Sequence, residues 1–373
     1  MLIELLYSHA MNFNKNQPYN SLPDLPPKAD LETTEIFKLT IKANKLLAEL
    51  KGYCQTLPNP NLLLNTIILQ ESKESNAIEN IVTTQDELYK ASLNITDKIK
   101  NPAAKEVIQY REAMYWGLEQ INKNGLITTN MLVGIMQKLR DSDDNIRKNP
   151  GTKLANPSTK SIVYTPPEGE SLIREKLAQL EKFINDDTLN DLDPLVKMAL
   201  IHYQFEAIHP FSDGNGRTGR ILNVLYLINK DLLGLPVLYL SRYIIQHKSD
   251  YYKFLREVTE KNNWEAWVKF VLKGIGETAE MTLFKINTIL QLKLDTQPLI
   301  KKVLKSSYSK ELLDLLFSYP YIKTSILEEN SIAKRQTAAE YLKKIENTGL
   351  ITSIKIGKEV YYINTGLMKV LSE

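Results

Sequence analysis

His209-Pro210-Phe211-Ser212-Asp213-Gly214-Asn215-Gly216-Arg217-Thr218-Gly219-Arg220 is the stretch on which the reading of this chain turns. It joins two segments of helical periodicity, Leu195–Ile208 before it and Arg220–Lys230 after it. Glycines at 214, 216 and 219 let successive backbone N–H groups turn inward with no Cβ in the way. Such a nest at the start of a helix draws anions, because unpaired amides and the helix dipole both favour negative charge. Arg217 and Arg220 add planar forks that match phosphate oxygens. Asp213 is a hard oxygen donor, suited to the Mg²⁺ that accompanies ATP. His209 stands just before the loop, and a histidine that titrates near neutrality suits a general base acting on a hydroxyl. A glycine-rich loop alone, or one histidine beside a proline, is ordinary. A base, a metal ligand, an amide nest and two arginines within twelve residues are not.

Outward from the loop, apolar residues recur at helical spacing over Leu31–Leu50, Leu62–Ile78, Ala103–Lys123, Thr128–Leu139, Gly169–Asn185, Lys248–Lys261 and Trp264–Leu290. Pro58 and Pro60 break the first two apart. Four prolines between Pro18 and Pro27 predict an extended arm or linker. The strong strand signal of the first 300 residues is Ser161, Ile162, Val163, Tyr164 and Thr165, ahead of two prolines, which predicts a short β-hairpin. Past Pro298 the pattern changes: three short helices (Lys310–Phe317, Lys323–Glu328, Ile332–Glu346) precede strands at Leu350–Ile356 and Glu359–Ile363, joined at Gly357-Lys358. That order is winged-helix-like. The fold class is therefore mainly α, with a small β-hairpin and a small α+β C-terminal domain. Three units are expected: 1–100, 101–297 and 298–373.

Composition is that of a globular protein, 43% apolar and 24% charged, with a net charge of +3 that excludes any global electrostatic case for nucleic acid. A single cysteine, Cys54, excludes an intrachain disulfide and a thiolate metal cluster. Met1–Ala10 is apolar but holds Glu4 and has no basic n-region, so it makes a poor signal peptide. No stretch reaches the roughly 18 uninterrupted apolar residues of a membrane helix. A cytoplasmic setting, where ATP is available, is the expectation. His202, seven residues before His209 on the same helical face, reads as a core residue.

The loop is similar to the Fic signature HPFx[D/E]GNGRxxR at every defined position, and Ala199–Ile208 resembles the helix that precedes it in that family. The resemblance implies protein adenylylation: AMP moves from ATP to a Ser, Thr or Tyr hydroxyl of a protein target, the chain itself among the candidates, with release of pyrophosphate. It implies that His209 deprotonates the hydroxyl and Asp213 holds Mg²⁺. Asn215 with the Gly214–Gly216 amides would form the anion hole, and Arg217 and Arg220 would bind the β- and γ-phosphates, in a loop that also includes Thr218 and Gly219. The related Doc-type kinases carry lysine where this chain has Gly216, which disfavours phosphorylation.

Three further features follow the same resemblance. Ser161–Thr165 resembles the family's flap, which pairs edge to edge with a target segment. Of the Tyr251-Tyr252 pair, Tyr252 is the one expected to stack on adenine. Ser75-Asn-Ala-Ile-Glu79-Asn80 matches the inhibitory motif [S/T]xxxE[G/N], with Ser75 and Glu79 on one helix face. This implies that Glu79 pairs with Arg220 and misaligns ATP. Two other readings stand beside the first: the same site removing AMP, with Glu79 aligning water, or a DNA- or protein-binding regulator acting through the C-terminal domain. There Lys334, Arg335, Lys343, Lys344, Lys355 and Lys358 face only Glu340 and Glu346.

Overall fold

The computed structural model describes residues 13–55, 61–84, 87–88, 101–156, 159–356 and 359–372. The Met1–Ala10 segment, the Pro58–Pro60 break and the Gly357-Lys358 turn lie outside the described residues. In chain order the elements are α1 (Thr34–Gln55), α2 (Asn61–Ile78), α3 (Pro102–Asn124), α4 (Thr129–Arg140), β1 (Leu154–Ala155), β2 (Ile162–Tyr164), α5 (Glu170–Asn185), α6 (Pro194–Ile208), α7 (Asn215–Asn229), α8 (Leu240–Gln246), α9 (Lys248–Lys261) and α10 (Trp264–Leu304). The C-terminal part holds α11 (Lys310–Ser318), β3 (Tyr321–Ile322), α12 (Thr324–Glu329), α13 (Arg335–Glu346), β4 (Ile351–Ile356), β5 (Glu359–Asn364) and α14 (Thr365–Ser372). The expected mainly helical class with small β elements is what the chain adopts.

α6 is the axis of the molecule. It is buried on every side from Leu195 to Phe205, polar residues such as Lys197 and His202 included, which is the mark of a central rather than a surface helix. Asp193 caps its start by accepting from the Leu195 N–H at 2.8 Å, with Pro194 at the first helical position. α7 packs against it across the signature loop, and α3 and α4 close over α7. Trp267 of α10 is fully buried and donates its indole N–H to the Ala199 carbonyl at 2.8 Å, tying α10 to α6. Trp267→Ala is expected to cost about 3–5 kcal/mol, read as a lower midpoint of chemical unfolding, with Trp267→Phe losing less.

Several expectations need correction. α10 does not end near Leu290; it runs 41 residues to Leu304 with Pro298 inside it. Pro298 and Leu294 are both exposed, so the Leu294 carbonyl that proline deprives of a partner can take water instead. α7 starts at Asn215, within the glycine-rich loop, five residues before the periodicity became legible. The proline-rich arm is no free linker: the Tyr19 N–H donates to the Thr165 carbonyl at 3.0 Å and Leu22 is buried. Elements without a sequence signal are β1, β3, α8 and α14.

β1 and β2 form a two-stranded antiparallel sheet, Leu154 opposite Tyr164. The C-terminal sheet has the order β3-β5-β4, antiparallel throughout, with Tyr321 opposite Ile363 and Ile351 opposite Asn364. α13 and α14 pack on α10. Lys334, Arg335, Lys343, Lys344 and Lys355 are all exposed, while Lys358 lies outside the described residues. Among the described residues no helix is long and apolar enough to cross a membrane. Cys54 is buried, and burial pushes its thiol up to about 11.

Candidate active site

The signature loop leaves α6 through a left-handed turn. His209 has φ 49°, and its N–H donates to the Phe205 carbonyl at 3.0 Å, closing the helix. Gly214 takes φ 85° as the N-cap of α7, and no side chain caps that end. The first amides of α7 therefore have no side-chain partner from the N-cap residue, the condition under which a helix start can take an anion. Asn215 braces the loop: its Oδ1 accepts from the Phe211 N–H at 2.9 Å and its Nδ2 donates to the Phe211 carbonyl at 2.8 Å. These two bonds tie the Asn215 side chain to the Phe211 backbone and fix the curve of the loop.

The two arginines differ in their engagements. Arg217 is buried and donates to Glu106 of α3 and to Asn76 of α2 (3.2 Å). Arg220 is also buried; its Nε donates to Ser75 Oγ at 2.8 Å, and its Nη2 to the Ser75 carbonyl at 3.0 Å and to Glu79 Oε1 at 2.7 Å. Burial works against the Arg220 charge, but Glu79, with Tyr251 and Tyr110 beside it, outweighs burial and holds the guanidinium above its ordinary value. A Cβ added to Gly216 would lie 2.3 Å from Glu79 Oε1. The carboxylate thus sits directly on the second glycine of the nest, and a side chain there would displace it.

α2 ends at Ile78, and Glu79 is the first residue past it, in a turn where its N–H donates to the Asn76 carbonyl at 3.0 Å. Asn80 is left-handed at φ 64°, and Lys248 Nζ at the start of α9 donates to the Ile78 carbonyl (2.6 Å) and Asn80 Oδ1 (3.2 Å). The rest of α2 is anchored by buried polar groups. Glu71 accepts from the Ser241 N–H at 2.9 Å and from Tyr110 Oη at 3.3 Å, and burial raises its carboxyl to about 7 against those bonds.

A cavity of about 500 Å³ collects Glu79, Val163, Tyr164, His209, Gly216, Arg220 and Tyr252. Asp213, Asn215, Arg217, Thr218, Ser75, Ser161 and Ile162 do not line it. Tyr252 is 47% exposed, whereas Tyr251 is buried with its hydroxyl 2.9 Å from His202 Nε2. His202 is accordingly a core residue; burial, with Arg220 beside it, lowers its imidazole to about 3. The flap is held by Tyr164, whose hydroxyl donates to the Ala207 carbonyl at 2.8 Å and whose ring stacks on Phe13 at 5.8 Å.

His209 departs from the near-neutral base anticipated from its type. Burial, and then the Arg147 charge, lower its imidazole to about 4, with the Glu206 backbone, Glu79 and Asp213 opposing. It is neutral, and so able to accept a proton, throughout the physiological range. Glu206 is a cavity residue with no sequence signal. Burial and Glu79 raise its carboxyl to about 7, and Arg220 opposes them. Arg147, Glu106 and Lys248 were equally silent, because their roles come from contacts far along the chain.

Asp213 is the candidate metal ligand. Its side chain is 57% exposed; Oδ1 accepts from the Gly214 N–H at 2.6 Å and Oδ2 pairs with Arg140 at 2.9 Å. Among the described residues no cluster of three or more His, Cys, Asp or Glu could hold a metal. One exposed carboxylate next to a phosphate loop is a fitting donor set for Mg²⁺, which keeps waters and takes most of its protein-bound contacts through substrate phosphates.

Residues 37–119 match the family described as Fic/DOC family N-terminal, 126–227 the Fic/DOC family, and 292–367 the C-terminal domain of protein adenylyltransferase SoFic-like proteins. The chain is 32% identical over 110 residues to protein adenylyltransferase fic-1 of Caenorhabditis briggsae (30% of this chain, 20% of that protein). It is 30% identical over 125 residues to protein adenylyltransferase Fic of Drosophila grimshawi (34% of this chain, 24% of that protein). The aligned region spans about a fifth to a quarter of the length of these curated relatives. A Fic family protein from Desulfovibrio desulfuricans shares the fold at TM-score 0.58 and 17% identity, over 91% of this chain and 98% of that one. Fic-1 (residues 134–508) from Caenorhabditis elegans does so at TM-score 0.51 and 18% identity, over 68% of this chain and 74% of that one.

Proposed function

Because the chain belongs to the Fic/DOC family, we propose that it is a protein adenylyltransferase, moving AMP from ATP to a hydroxyl of a protein target under restraint by Glu79. The observation that carries this reading is the meeting of a neutral His209, Gly216 of the amide nest and Arg220 around one cavity, with the Glu79 carboxylate on the arginine. His209 takes the proton of the target hydroxyl. The hydroxyl oxygen bonds to the α-phosphorus as the bond from that phosphorus to the β-bridging oxygen breaks, and pyrophosphate leaves. The α7 amides and Arg220 hold the phosphates, so catalysis is mainly positioning and electrostatics. Arg217 serves the phosphates only if it turns from Glu106. Asp213 would hold Mg²⁺, which neutralises phosphate charge when bound. Tyr252, exposed at the cavity, supports adenine stacking, and the two-stranded flap offers an edge to an extended target segment.

The division into 1–100, 101–297 and 298–373 is kept as a proposal, with its last boundary lying within α10. The test of the function is incubation with ATP labelled on the α-phosphate, beside ATP labelled on the γ-phosphate, with the chain alone and with a cell lysate. Protein-bound label from the α position only is expected. Label from the γ position would mean phosphorylation, and none from either, with Glu79 also replaced by Gly, would overturn the reading.

A further inference from the structure

We propose that Arg147, in the loop between α4 and β1, is a positioning residue that holds the base His209 and the flap in a single register. The inference rests on the adenylyl-transfer reading above and adds a residue to it. Arg147 is 7% exposed, and the hydrogen bonds of its guanidinium all go to carbonyl oxygens. Nε donates to the His209 carbonyl at 2.8 Å, and Nη2 donates to those of Ile208 (3.4 Å) and Pro167. Its own N–H donates to the Pro210 carbonyl at 2.9 Å. One residue therefore collects three successive carbonyls at the end of α6, and a fourth just past flap strand β2.

Those carbonyls need a partner. The last carbonyls of a helix have none within it, and left buried each would cost roughly 1–3 kcal/mol. His209 is moreover in the left-handed region, which a non-glycine residue keeps only where its surroundings hold it. A planar fork can satisfy carbonyls in two directions at once, and an ammonium cannot reproduce that geometry. The Pro167 contact carries the same constraint to the strand that would present the target. A shift of the flap and a shift of the imidazole are thus coupled through one guanidinium. Arg147 also places a positive charge beside the imidazole, among Glu79, Asp213 and the Glu206 backbone.

Two variants separate fork from charge: Arg147→Lys and Arg147→Gln, each in the Glu79→Gly background. Both are expected to lower kcat on the order of 10–100-fold, because misplacing a reacting group by about 1 Å has that effect. ATP affinity by calorimetry should stay within about threefold, since Arg220 and the α7 amides are untouched. The histidine ring protons provide a readout independent of turnover. With four histidines in the chain, His209→Ala identifies the resonance. Its NMR titration should move to higher pH in Arg147→Gln, which loses the charge, and stay with the parent in Arg147→Lys. Parent-like turnover in both variants would overturn the proposal. So would an unshifted titration in Arg147→Gln, or an ATP affinity that falls in step with kcat. If Arg147→Gln does not fold, Arg147→Lys decides by its kcat against its ATP affinity. If the Glu79→Gly parent transfers nothing, the adenylyl-transfer reading fails while the imidazole titration still decides Arg147.

Discussion

Glu79→Gly should raise adenylyl transfer about 10–100-fold over the unsubstituted chain, the gain expected from freeing a charge-assisted hydrogen bond of about 1.5–3 kcal/mol. Glu79 Oε1 holds Arg220 Nη2 at 2.7 Å, and Ser75 takes Nε, so the fork meets ATP with its strongest donors already engaged. Removing the carboxylate also clears the space above Gly216, where a phosphate oxygen would approach the nest. A gain is diagnostic because most substitutions of a residue that holds a buried partner only destabilise, by about 0.5–3 kcal/mol. Arg220→Ala added to Glu79→Gly should cancel most of the gain, since both changes act through one contact. Label from α-labelled ATP, counted in the protein and in lysate proteins for the three variants, is the measurement. Equal or lower incorporation by folded Glu79→Gly would refute the inhibitory role and favour a glutamate that orients water to remove AMP.

His209→Ala in the same background should reduce transfer by about 10²–10⁴, the usual contribution of a general base. ATP affinity should stay within a few-fold, because the phosphates are to be held by Arg220 and the α7 amides, which the substitution leaves in place. The pH dependence carries a further expectation. A base works unprotonated, and burial holds His209 near 4, so kcat/KM should not fall on the acid side near pH 6.5 on its account. A loss of kcat/KM centred near 6.5 that disappears in no other variant would show that the imidazole is solvated in the working enzyme. Near-normal turnover by folded His209→Ala would remove it from the mechanism.

The signature loop was legible because its chemistry is local: glycine spacing, arginine forks and the histidine all lie within one turn-and-helix. Glu79 and Ser75 were legible through a motif, and their partner through the same resemblance. Arg147, Glu106, Glu206 and Lys248 were not. A surface-type residue announces nothing in sequence when its burial depends on a carbonyl or carboxylate many residues away. The start of α7 was hidden because glycine and asparagine have poor helix propensity, yet packing against α6 overrides it. Pro298 misled in the opposite sense, since an exposed proline can sit in a long helix where water takes the orphaned carbonyl.

The polar face of α2 has a consequence for how such a protein could be switched on. Gln70, Glu71, Ser72, Ser75 and Asn76 are all buried, beside Ile67, Ile68 and Leu69. Lifting the helix away as a lid would strand those groups and open the core between α3 and α8. A change confined to the turn past α2 strands none of them: there Glu79 precedes the left-handed Asn80, and Lys248 holds the Ile78 carbonyl. On the proposed reading, activation is a competition at a single guanidinium, decided by mass action between the carboxylate and the terminal phosphate. The response should be graded with ATP concentration, like a rheostat rather than a latch.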